Sequence, residues 1–309
     1  VDFCHVYVVK YSKGVFMPAI YEDNGNRMVI TKYHGDFENK EVPAHASTAM
    51  MLDVETTGLS AKEDEIIQLA YVTFTFDEET GEIFSIEQES SEYNEPEKEI
   101  SEVITDLTGI TAEDVKGKRI DWSSFELVLE DCEFVIAHNA SFDRKFVEMY
   151  SEASRNILWA CSREQVPWKS LGFGHTALIY VSMMNGFFYD AHNAIADVHA
   201  TIKNLAEVDR DGKYFLKHLL ERARQDDIKI IATTRYSQKQ FFKDRQYRWD
   251  GGGKVWYKQL PQNAHQEELV EAQAFFKREG VGSVKIETIP AVNKFKDTSG
   301  ESLGRKVRK

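Results

Sequence analysis

The sequence predicts an α/β chain: a mixed five-stranded sheet flanked by helices over residues 47–208, with a β-meander over 1–46 before it, a small basic α+β module over 209–300 after it, and a basic tail over 301–309. Three observations predict this. Three apolar strand-like runs follow one another between Thr48 and Ser90. Beyond them strand and helix patterns alternate, as in a sheet covered by helices. The charge then changes sign: residues 1–210 carry 17 Lys+Arg and 38 Asp+Glu, a net of −21, whereas residues 211–309 carry 21 and 13, a net of +8. Such asymmetry marks two modules with different partners behind the overall net charge of −13.

At 309 residues and 42% hydrophobic content the chain can bury a substantial core. No apolar run is long enough for a membrane span, and no leader pattern opens the sequence. Three cysteines, Cys4, Cys132 and Cys161, lack CxxC spacing. The expectation is a reducing, cytoplasmic setting without structural zinc.

Taken in order, "CHVYVVKY", "VFMPAIYE" and "RMVITKY" read as three strands of the meander, with Asn-Gly in the second turn. "TAMMLDVET" is a near-continuous apolar run suited to a sheet centre. "EIIQLAYVTFTF" and "EIFSIEQES" follow as strands, and the acidic stretch over 90–117 as a loop with short helices. "WSSFELVLEDC" is helical, "EFVIAHN" a fourth strand, "SFDRKFVEMYSEA" a helix and "NILWAC" a fifth strand. "HTALIYVSMMNG" and "AIADVHATIKNLAEV" are helices. In the module, the helix "KYFLKHLLERARQ", the strand "IKIIA", the helical "QKQFFKDRQ", the hairpin "YRWDGGGKVWYKQL", a helix ending at Gly280 and the strand "SVKIETI" succeed one another.

The chemistry starts in "MLDVETTGL", where Asp53 and Glu55 share one face of a strand. Two like charges so placed repel, and burial removes their solvation, so the pair is unfavourable unless a cation joins it. Asp143 falls in the first turn of a helix, where the dipole favours its ionised form. Asp197 lies in the last helix of the central domain, with Asn193 as N-cap and His192 just before the cap, free to swing over the site. Four hard oxygen ligands from three separate elements suit Mg²⁺ or Mn²⁺, and a pair of such ions can serve phosphodiester displacement. A neutral histidine can take a proton from water near neutral pH. Each residue alone has a plain structural reading, such as an edge pair, a helix-start acid or a capping histidine. The five together do not.

"LDVETTGL", "AHNASFD" and "AHNAIAD" resemble the three motifs of the DEDDh 3′→5′ exonucleases, the group that includes the epsilon proofreading subunit. The resemblance covers roughly residues 48–208. It implies an RNase H-like fold, two Mg²⁺ or Mn²⁺ ions held by Asp53, Glu55, Asp143 and Asp197, and His192 as general base. It further implies release of 5′-mononucleotides, Thr56, Thr57, Gly58 and Leu59 gripping the terminal nucleotide with Leu59 as a wedge, and contacts from Asn139 and Phe142. "GFGHTAL", with His175, departs from the family pattern. His138 reads as orienting its loop, His199 as structural or exposed, and Cys161 as a small buried hydrophobe.

DNA is the favoured substrate, in proofreading or repair, with a polymerase or repair complex as partner. The alternatives are an exoribonuclease of the same family, since the motifs do not read the 2′-OH, and a non-catalytic adaptor. The module interleaves basic and aromatic residues, which neutralise phosphates and stack bases. Arg245, Arg248, Trp249, Lys254 and Trp256 are its candidate contacts, with Trp249 or Trp256 expected to be buried instead.

Overall fold

The structure, a computed structural model, describes residues 20–22, 27–280 and 282–296. They fall into two compact units, one reaching Ala223 and taking in Phe295, the other spanning Arg224–Lys294.

In the first unit, β1 (Ile20–Glu22) and β2 (Arg27–Val29) form an antiparallel hairpin, and β3 (Thr31–Lys32) follows. The first expected strand of the meander, residues 4–11, and the basic tail lie outside the described residues. The strands β4 (Ser47–Thr56), β5 (Ile66–Phe76) and β6 (Ile83–Tyr93) come next, then helices α1 (Glu102–Thr108), α2 (Ala112–Val115) and α3 (Trp122–Glu130). After them come β7 (Phe134–Ala137), α4 (Ala140–Val147), β8 (Leu158–Cys161), α5 (Ser162–Gln165) and α6 (Leu178–Met184). The unit closes with β9 (Phe187–Phe188), α7 (Ala194–Leu205) and α8 (Phe215–Ala223).

The expected mixed five-stranded sheet is present, in the order β6-β5-β4-β7-β8. The first three strands are antiparallel, and β4, β7 and β8 are parallel. All eleven residues of β5 are buried, so helices or loops cover both faces of the sheet there. Alternation along β4 sorts its side chains: Met50, Leu52 and Val54 join the core with Phe125 and Phe146, while Ala49 and Met51 join the core with Val198 and Leu216. Asp53 and Glu55 continue the second stripe toward α7.

The first unit extends past the expected boundary at residue 208. Phe215, Leu216, Leu219, Leu220 and Ala223 of α8 are buried in the same core as Val198 and Leu205, and Phe215 meets Trp168 and Phe173 edge-on at 4.9 and 5.7 Å. The apolar face of α8 therefore belongs to the sheet domain. The third meander strand also departs from expectation. It is broken after Val29, and β3 pairs in parallel with β9, a two-residue strand without enough length to show a period in the sequence.

The second unit is the expected α+β module. Its elements are β10 (Asp227–Thr233), α9 (Lys239–Asp244), β11 (Arg248–Asp250), β12 (Val255–Pro261), α10 (Gln266–Glu279) and β13 (Ser283–Ile289). The strands form an antiparallel sheet in the order β11-β12-β10-β13. Gly280 caps α10 with φ 66°, as its sequence position predicts. The core holds Ile228, Ile230, Ala232, Phe242, Tyr247, Trp256, Phe275 and Phe276. Among the described residues, no helix of the chain is long and apolar enough to cross a membrane.

Candidate active site

Asp53 and Glu55 lie opposite Ala70 and Gln68 of β5, and the register shifts between Glu55 and Thr56. A bulge at that place turns the strand end into the "TTGL" turn. Asp143 stands in the first turn of α4, fully buried, where its Oδ1 accepts from the Val54 N–H at 3.2 Å. Asp197 stands in the first turn of α7, capped by the Asn193 side chain, which accepts from the Ala196 N–H. Both Asp197 oxygens are engaged: the Tyr189 hydroxyl donates to Oδ1 at 2.7 Å and the His192 N–H to Oδ2 at 3.0 Å.

The stripe on β4 and the first turn of α7 converge. One carboxylate oxygen each from Asp53, Glu55 and Asp197 lies within 4.8 Å of the others. Asp143 joins electrostatically, through its charge on the other carboxylates. Burial first, then the charges of Asp143, Asp197 and Glu55, push the Asp53 carboxyl well above the carboxylate range. Glu55 is pushed up to about 8 by burial and by Asp197 and Asp143. Burial takes Asp143 to about 7 against the opposing Val54 hydrogen bond, and it raises Asp197 against the Tyr189 hydrogen bond and His192. A cluster that resists its own ionisation to this degree calls for protons or a cation. Its donors are all carboxylate oxygens at close range, which fits a hard divalent metal ion.

His192 is exposed and holds φ at 64°, in the left-handed region. For a side chain with a Cβ this costs about 1 kcal/mol, and strain of that kind gathers at functional sites.

In the turn, Thr56 and Thr57 are buried and spend their hydroxyls on shape. Thr56 Oγ1 donates to the Gly58 carbonyl at 2.6 Å, and Thr57 Oγ1 accepts from the Glu65 N–H at 3.0 Å. A Cβ on Gly58 would sit 2.5 Å from the Asp64 carboxylate, so only glycine fits. Leu59 projects outward, 79% exposed. The Lys145 ammonium donates to the Leu59 carbonyl at 2.7 Å and lies 5.0 Å from the centre of the Phe142 ring. Phe142 and Asn139, the N-cap of α4, are half-buried.

Sequence reasoning missed Tyr189, Asp64, Lys98 and Lys145. Asp64 is buried and accepts from the Ser60 N–H and Lys98 Nζ. Burial opposes its charge, but those hydrogen bonds outweigh it and hold the carboxyl below its ordinary range. The available signal was the charged residue just before "EIIQLA"; nothing local marked Lys98 or Tyr189. His138 does orient its loop: its ring bonds Ser162 Oγ at 2.8 Å and the Thr176 carbonyl at 3.0 Å, and burial lowers its pKa to about 4. His199 is structural, buried against Glu89 at 2.8 Å. Cys161 is buried as expected.

In the module, the candidate contacts divide. Trp256 is the buried tryptophan, at 7% exposure, stacked in the core with Phe242. Arg245 is committed to Glu268 at 2.8 Å, a carboxylate it shares with Lys258. These two are corrections to the expected surface: core packing claims one and an ion-pair network the other. Arg248, Trp249 and Lys254 remain exposed.

A family model described as exonuclease, RNase T, matches residues 50–205. The PolC-type DNA polymerase III of Thermotoga petrophila is 32% identical over 136 residues, which is 41% of this chain and 8% of that protein. Its counterpart in Lactococcus lactis is 34% identical over 124 residues, 40% of this chain and 7% of that protein. The chain thus spans less than a tenth of the length of these relatives. Among solved structures, the zinc-bound E. coli exonuclease I–single-stranded DNA complex is similar at 17% identity and a TM-score of 0.45, covering 61% of this chain and 48% of that one.

Proposed function

Because the chain belongs to the exonuclease family, we propose that it is a metal-dependent 3′→5′ exonuclease acting on DNA and releasing 5′-mononucleotides. One observation carries the reading: three half-buried carboxylates from β4 and α7 brought within 4.8 Å, beside a histidine on a left-handed turn. That the relatives are DNA polymerases favours DNA as substrate and a polymerase or repair complex as partner.

In this reading Asp53, Glu55, Asp143 and Asp197 hold two Mg²⁺ or Mn²⁺ ions. When bound, such ions polarise the phosphate and stabilise the attacking and leaving oxygens. His192 accepts the proton of the attacking water. Its exposure keeps the imidazole solvated and free to return that proton to bulk water. Thr56, Thr57 and Gly58 set the turn that seats the terminal nucleotide, Leu59 wedges against its base, and Asn139 and Phe142 line the seat. Lys145 fixes the wedge through the Leu59 carbonyl. Arg248, Trp249 and Lys254 retain the strand by charge and stacking.

The test uses 5′-labelled DNA and RNA of one sequence, single-stranded and with 3′ ends in a duplex, with Mg²⁺ or Mn²⁺. The expected result is a ladder shortening from the 3′ end on DNA, lost in Asp53→Ala and Asp197→Ala. Faster shortening of the RNA makes the enzyme an exoribonuclease. Internal cuts, or a ladder that survives both substitutions, overturn the proposal.

A further inference from the structure

The segment between α6 and α7 carries His192 and leads into Asp197, yet its only regular structure is the two residues of β9. Something else must hold it. Two features supply the hold, and neither was assigned a role by the motif reading.

The first is Tyr189. Its ring is buried with Phe187 and Ala200, and its hydroxyl reaches Asp197 Oδ1 at 2.7 Å. A phenylalanine would fill the same space, so packing alone does not require the hydroxyl. A buried hydroxyl is costly unless bonded, and the partner this one meets is a carboxylate of the cluster. With His192 N–H on Oδ2, the carboxylate is clamped at both oxygens and its plane is fixed. Each oxygen keeps a further lone pair for a cation.

The second is β3. The Thr31 N–H donates to the Gly186 carbonyl at 3.0 Å and the Tyr33 N–H to the Phe188 carbonyl at 2.8 Å, bracketing β9. The Tyr33 ring meets Phe187 edge-on at 5.5 Å, Lys203 Nζ lies 5.1 Å from the Tyr33 ring centre, and Lys32 pairs with Asp190 at 2.9 Å. Residues 31–33 thus strap the stretch that presents Tyr189.

We propose that Tyr189 is a positioning residue for Asp197, and that the N-terminal strand β3 is the strap that keeps it in place. The proposal rests on the metal reading of the cluster. In metal sites, groups that orient a ligand are worth 10–100-fold in affinity or activity. Tyr189 should act on that scale without touching metal or substrate.

The experiment uses the full chain as wild type, Tyr189→Phe and Tyr33→Ala. Mn²⁺ alone is titrated calorimetrically, and kcat and KM are measured on a 5′-labelled oligonucleotide. Tyr189→Phe is expected to weaken Mn²⁺ binding by about 10–100-fold and to lower kcat at limiting Mn²⁺, with KM for the oligonucleotide unchanged. Tyr33→Ala, at a side chain whose hydroxyl bonds none of the carboxylates, is expected to move Mn²⁺ affinity the same way by a smaller factor, and it keeps the test alive if the first variant folds poorly. Wild-type Mn²⁺ affinity in Tyr189→Phe overturns the positioning role, and wild-type affinity in Tyr33→Ala overturns the strap. A wild-type chain that binds no Mn²⁺ overturns the metal reading and this proposal with it. Normal wild-type binding with unaffected variants overturns this proposal alone.

Discussion

Asp53→Asn should make the metal-free protein more stable while removing its activity. Three carboxylate oxygens lie within 4.8 Å of one another, and Asp53 belongs to two of the three pairs. At an effective dielectric of about 20, two unit charges at that distance repel by about 3.5 kcal/mol, or about 7 kcal/mol for both pairs. The folded protein can escape part of this by holding protons, as the raised values of Glu55, at about 8, and Asp143, at about 7, indicate. Holding a proton near neutral pH on a carboxyl whose unfolded value is about 4 costs about 4 kcal/mol, which caps the penalty. The substitution should therefore gain about 2–4 kcal/mol, a rise on the order of 5–10 °C for a unit of this size. The sign of the pH dependence follows. These carboxyls hold protons to higher pH in the folded state than in the unfolded chain, so they favour folding in acid and lose that contribution as pH rises through about 7–8. The gain from Asp53→Asn should shrink toward about pH 5, where the unfolded chain also begins to take up protons. Thermal melts in chelator at the two pH values, repeated with Mg²⁺, measure all of this. Wild type should rise with the ion and the variant should not. A variant that melts no higher than wild type in chelator near neutral pH, or that keeps the full rise with Mg²⁺, refutes the reasoning.

Replacing His192 separates strain from chemistry: His192→Gly should raise stability by about 1 kcal/mol by relieving the left-handed backbone, while turnover falls by about 10²–10⁴-fold. Melting and single-turnover rates on one preparation check both. Gly58→Ala forces its Cβ against the Asp64 carboxylate. It should cost about 1–3 kcal/mol and raise KM for oligonucleotides more than it lowers kcat, as steady-state kinetics will show. In the module, Trp256→Ala should lose about 3–5 kcal/mol in a melt because it opens the core. Trp249→Ala gives up the ring contact with Trp256 at 5.3 Å, so it should lose only about 0.5–1.5 kcal/mol in the melt while weakening single-strand retention by about 1–3 kcal/mol in a filter-binding titration.

The sheet was legible because its strands are long and strongly apolar: β4, β5, β7 and β8 read directly from composition and period. The carboxylates were legible because a strand's alternation and a helix's first turn fix where Asp53, Glu55, Asp143 and Asp197 point. Tyr189 was not, because its partner is set by a hydrogen bond across an irregular stretch that leaves no period. The reach of the domain to Ala223 was hidden for a related reason. The α8 helix is amphipathic enough to suit either unit, and only its burial beside Val198 and Leu205 decides. For the tryptophans the aromatic pattern stayed ambiguous because Trp249 and Trp256 are cross-strand partners on one face; the strand order decides, with Trp256 next to Ala232 in the core and Trp249 on the edge strand β11.

The pairing of β3 with β9 joins Thr31 to Phe187, near opposite ends of the first unit. During synthesis β3 leaves the ribosome before any central strand, and its partner follows only after all five. Loop closure costs little more for so long a separation, about 0.6 kcal/mol per doubling of length. During synthesis such a contact cannot form until Phe187 has been made. Docking of the strap can then begin only after the residues of β4, with Asp53 and Glu55, have been made. A nascent chain would hold its carboxylates without the clamped fourth acid until the domain is complete, so maturation of the site is timed by topology.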